Sequence, residues 1–102
     1  MEGNKVFNII LDGKEMKTRE GVHLYIKNKF GNPQYYGNNL DALWDVLSHN
    51  KNIVKITVLH TNTLRQVLGH YGDSLIQLFK DIQSLKSIEL ILFTKGRTNE
   101  TK

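Results

Sequence analysis

The sequence predicts a small α/β fold: a three-stranded parallel β-sheet packed by about four α-helices, with a single layer of helices forming the core with it. Three observations predict this. First, three short apolar runs rich in β-branched residues, at 6–11, 53–59 and 88–93, read as strands. Second, each gap between successive runs holds two segments whose apolar residues recur with a helical period. Helices between strands imply parallel pairing through right-handed crossovers. Third, 102 residues without a cysteine support one core and no disulfide framework. The nearly continuous apolar character of the strands suits a sheet covered by those helices.

Each element has its own local signals. The first strand, V-F-N-I-I-L, runs into Asp12-Gly13, a turn pair. Thr18 can cap a helix reaching about Phe30, with Val22, Tyr25, Ile26 and Phe30 on its apolar stripe. Gly31, Asn32 and Pro33 stop it, because proline cannot continue a helix. Pro33, Gly37, Asn38 and Asn39 make a loop, after which Leu40, Leu43, Trp44 and Leu47 fall at i, i+3, i+4, i+7. Asn38 or Asn39 supplies the N-cap, and Asp41 lies near the positive end of the dipole. The run 53–59 is the clearest strand. Thr61 or Thr63 caps a short helix containing Leu64, Val67 and Leu68, which Gly69 to Gly72 breaks. Asp73 or Ser74 opens a fourth helix, with Leu75, Leu78, Phe79 and Ile82 as its buried stripe. The expected domain spans 1–94, and 95–102 is a polar tail expected to fray.

The formal net charge of +4 invites an anionic partner until the charges are placed. The first 30 residues mix six Lys/Arg with four Asp/Glu, and Lys95, Arg97 and Lys102 belong to the tail. Between Gly31 and Asn50 there is no Lys or Arg, only Asp41 and Asp45. The most distinctive stretch of a basic chain is therefore acidic. Asp41, Asp45 and Ser48 share one stripe of the second helix, away from the apolar one. Like charges at i, i+4 cost a few tenths of a kcal/mol, roughly, in an isolated helix. That cost points to a face kept for something other than helix stability.

The run Y-Y-G-N-N-L-D-A-L-W-D at 35–45 closely resembles the signature of the barstar family, intracellular inhibitors of secreted bacterial ribonucleases. A weaker resemblance covers nearly the whole chain. It implies a barstar-like fold and an immunity protein that plugs a barnase-like ribonuclease one to one. By that resemblance Asp45 enters the nuclease active site, where its carboxylate takes the place of a substrate phosphate. A carboxylate suits this role, since it accepts charge-assisted, often bidentate bonds from guanidinium groups. Asp41 adds a second acceptor one turn earlier. Tyr35 and Asn39 are expected at the inhibitor surface, Trp44 partly buried and partly at the interface, and Ser48 at the helix end. Asp73, Gln77 and Asp81 share a stripe of the fourth helix, and Asp81 matches an acidic contact position. The chain departs from the family pattern at His49-Asn50-Lys51, where glycine and a large aromatic residue are usual, and at Leu85, where an acid is expected.

Other functions find less support. His23, His49, His60 and His70 show no metal-ligand spacing, and no cofactor motif is present. Asp41 and Asp45 on a convex helix have the wrong shape for a catalytic pocket, so no enzyme is expected. The N-terminus lacks an apolar signal region and no run is long enough to span a membrane, which suggests a cytoplasmic protein, monomeric when free. Alternatives are a nucleic-acid-binding module using the scattered basic residues and an immunity protein against a different toxin. A small oligomerising domain is a third.

Overall fold

The computed structural model describes residues 7–30, 37–49 and 52–96. In chain order these form β1 (Phe7–Asp12), a 3₁₀ turn (Gly13–Glu15), α1 (Arg19–Lys29), α2 (Leu40–His49), β2 (Ile53–Leu59), α3 (Thr61–Leu68), α4 (His70–Lys86) and β3 (Glu89–Leu92). The strands form one sheet in the order β1-β2-β3, and both pairings are parallel. Ile9 lies beside Ile56 and Ile56 beside Leu90, so each crossover carries a pair of helices.

The local signals explain most boundaries. Thr18 caps α1, its Oγ1 accepting the Gly21 N–H at 2.9 Å. Of the two asparagines before α2, Asn39 does the capping: its Oδ1 accepts the Ala42 N–H at 2.8 Å. Asn38 instead takes the left-handed turn, at φ 59°. Gly31, Asn32, Pro33, Tyr35, Tyr36 and Lys51 lie outside the described residues, as do 97–102.

The helices lie in one layer. Val22 and Ile26 of α1, Leu43 and Leu47 of α2, Leu64 of α3, and Leu75, Ile76, Phe79 and Ile82 of α4 share one core with Ile9, Leu11, Ile56 and Val58. The other sheet face carries Asn8, Ile10, Lys55, Thr57, Ile91 and Phe93 around an open groove of about 430 Å³. The sheet is thus covered on one side. The strands read as apolar throughout because Ile10 and Ile91, which line that groove, are apolar as well.

Two boundaries differ from expectation. Neither Thr61 nor Thr63 caps α3; His60 holds that position in the left-handed region, at φ 55° and without a side-chain cap. The first free N–H groups go to another segment: those of Thr61 and Asn62 donate to the carbonyls of Phe93 and Thr94. His60 Nδ1 lies 2.8 Å from Asp12 Oδ1, fastening the end of β1 to this junction. Second, α4 begins at His70, not at Asp73 or Ser74, and Gly72 lies inside it. Gly72 marks an approach of two backbones: a Cβ there would sit 2.8 Å from the Leu64 carbonyl oxygen and 3.3 Å from Arg65 Cα. Gly72→Ala is therefore expected to destabilise the protein by about 1–3 kcal/mol through overpacking, although alanine is the better helix former. Urea unfolding measures the change.

Candidate functional site

Helix α2 presents two faces because its apolar residues repeat at helical spacing. Leu43 and Leu47 are buried, Leu40 and Trp44 half-buried, and Asp41 and Asp45 exposed. Neither carboxylate has a hydrogen bond or ion pair among the described residues. Two carboxylates with their solvation intact are ready to exchange water for cationic donors.

Helix α4 runs beside α2 in the same direction. Near the start of α2, Leu40, Asp41 and Trp44 meet Ser74, Gln77, Leu78 and Asp81 of α4 around a groove of about 290 Å³. At the far end, Lys86 Nζ donates to the Ser48 carbonyl at 2.9 Å. The structure thus brings Asp41, Trp44 and Asp81 into one groove, with Asp45 and Ser48 following along α2. Gln77 Nε2 donates to Asp81 Oδ1 at 3.0 Å, which orients that carboxylate. Asp73 is turned to a different task, pairing with Arg65 Nε at 3.2 Å on an exposed surface, where such a pair adds little stability. Asn39, exposed at the head of α2, lines a second groove and not this one. Tyr35 lies outside the described residues. Leu85 is 60% exposed.

The second groove, about 450 Å³, is lined by Arg19, Glu20, Leu24, Asn38, Asn39 and Tyr71. Beneath it His23 is buried, with Nε2 2.5 Å from the Tyr71 hydroxyl, and the Arg19 guanidinium sits 4.8 Å above the Tyr71 ring. Burial pushes the His23 pKa below its ordinary 6.5. Neutral His23 therefore supports the fold fully above pH 6.5, and that support is lost as pH falls below it. The wild type is expected to lose more stability than His23→Gln between pH 7 and pH 5, read by thermal melts across that range. Asp12 acts in another window. Burial opposes its ionisation, but the Lys14 N–H and then His60 outweigh burial and hold its pKa below 3.8. Its contribution is complete above that value and fades only as pH falls lower.

Lys86 and Ser74 escape sequence reasoning as parts of this face. A lysine in the last turn of a helix is an ordinary dipole-favoured choice. Nothing in its spacing says that it reaches a carbonyl on another helix. Among the described residues no group of three His, Asp or Glu could hold a metal ion, and no helix is long and apolar enough to cross a membrane.

A family model described as Barstar (barnase inhibitor) matches residues 6–94. The chain is also 37% identical over 79 residues to a Bacillus subtilis (strain 168) protein described as "Putative ribonuclease inhibitor YrdF". That alignment covers 74% of this chain and 84% of the relative.

Proposed function

The chain belongs to the barstar family, and from that premise we propose that it is a ribonuclease inhibitor whose α2–α4 face plugs the active site of a barnase-like enzyme. The observation that carries this reading is that Asp41, Trp44 and Asp81 line one groove between two helices, with Asp45 exposed one turn beyond Asp41 on α2 and no Lys or Arg between those two acids. A nuclease active site must hold a phosphodiester with cationic side chains. An exposed carboxylate on a rigid helix competes for those same donors. Asp45 stands in for the phosphate; Asp41 and Asp81 flank it, the second held by Gln77. Trp44, half-buried at the groove, supplies apolar contact of the kind that dominates binding hot spots. Asn39, Ser48 and Tyr35 complete the footprint. In this reading the inhibitor acts one to one in the cytoplasm, as an immunity protein, and the chain performs no chemistry itself.

The net charge of +4 shapes how the complex forms. A basic inhibitor gains no long-range attraction to a basic nuclease, so the acidic face acts only within a Debye length of about 8–10 Å. The direct test is a titration of RNA cleavage rate against added protein. The expected result is a linear fall to zero at one equivalent. Undiminished cleavage at excess protein sinks this target assignment.

A further inference from the structure

Resting on the inhibitor reading, we infer that Lys86 is a positioning residue for the inhibitory face: reaching across from α4, it closes the last turn of α2 and so sets the direction of the Asp45 carboxylate. The need for such a device follows from α2 itself. It has ten residues, too few to be stable alone in water, and its last four carbonyls have no partner within the helix. Ser48 carries one of these carbonyls, and the Lys86 ammonium donates to it at 2.9 Å. The same turn is tied twice more. Ser48 Oγ donates to the Asp45 carbonyl at 3.3 Å, and His49 Nδ1 lies 2.8 Å from that oxygen. A carbonyl only accepts, so Nδ1 of His49 carries the proton. Three side chains thus converge on the backbone of the turn that bears Asp45.

The Asp45 carboxylate has no partner among the described residues, so its aim depends on the backbone beneath it. A turn that frays in the free protein must be ordered on binding, at a cost in affinity. Lys86 removes that cost beforehand. Its charge need not repel a cationic partner strongly, because it sits on the negative end of the helix dipole. The exposed Leu85 beside it shows that the last turn of α4 here offers no acid to the face; its contribution is the fastening by Lys86.

The test is a double-mutant cycle against a barnase-type ribonuclease, with dissociation rates measured for wild type, Lys86→Met, Asp45→Ala and the double variant. Lys86→Met is expected to dissociate on the order of tenfold faster, the value of one charge-assisted hydrogen bond. Lys86→Arg, which keeps charge and donors, restores most of the loss. In the Asp45→Ala background Lys86→Met changes the rate far less, because the group it positions is gone. A purely structural role lowers the melting temperature and leaves the two substitutions additive, and additivity overturns the inference. Amide exchange at 46–49 in the free protein supplies an independent readout: Lys86→Met speeds it, and unchanged protection overturns the inference. Inhibition by the wild type that Lys86→Met leaves intact defeats this inference alone. Failure of the wild type to inhibit defeats the inhibitor reading and this inference with it.

Discussion

Asp45→Ala is expected to weaken the complex with a barnase-like ribonuclease by about 2–5 kcal/mol, roughly 30-fold to several thousandfold in Kd. That range is borrowed from buried interfacial charge pairs, the barnase–barstar complex among them. Much of the loss belongs to the enzyme, whose cationic groups would stay buried without a partner. The same substitution should leave unfolding nearly unchanged, within about 0.5 kcal/mol, since Asp45 is exposed and ion-pairs with nothing among the described residues. Binding by titration and stability by urea, measured on one preparation, separate the two quantities. A large loss of stability accompanying the loss of binding would mean that Asp45 serves the fold and not the partner.

Leu43→Ala should produce the mirror result. Leu43 lies two positions before Asp45 on the opposite face of α2 and is fully buried in the core. Truncation removes apolar contact and leaves a cavity, costing about 2–5 kcal/mol of stability. That is a large share of the 5–15 kcal/mol, roughly, that a domain of this size possesses. Where the variant remains folded its inhibition should persist, because every acid on the face is still present. Thermal melts and the RNA cleavage titration at low temperature check both halves. Strong binding loss in a folded Leu43→Ala would show that the seat of α2, beyond its exposed side chains, decides affinity.

What was legible in the sequence was whatever is written locally. Strand β2 matches 53–59 residue for residue, because Ile53 to Leu59 is dense in β-branched side chains. The Thr18 cap depends on one side chain and an amide three residues on, so spacing reveals it. The acidic stripe of α2 was equally visible, as a period. Features that depend on distant partners were not. Gly72 looks like a breaker and is a close packing point with α3, a difference decided by Leu64 and Arg65 and not by its neighbours in sequence. Thr61 and Thr63 look like caps, yet α3 is capped by the carbonyls of Phe93 and Thr94, about thirty residues away. Asp73 and Asp81 share a stripe, but Arg65 claims the first and the groove holds the second. Lys86 was invisible for the same reason.

The parallel order of the strands also governs how the molecule comes to be. No two strands here can zip as a hairpin: Ile9 must find Ile56, and Ile56 must find Leu90, each across a pair of helices. Such long-range closure has an entropic cost that is met before any contact rewards it, and slows folding relative to helical bundles. Helices α3 and α4, joined at Gly69, are close in sequence and able to associate early. Helix α2 is different, because α4 lies beyond β2 and α3 in the chain and the two meet only through a longer closure. The face that includes Asp45 is therefore expected to assemble after the α3–α4 pair. Capacity to inhibit should appear with the final, cooperative step of folding and not before.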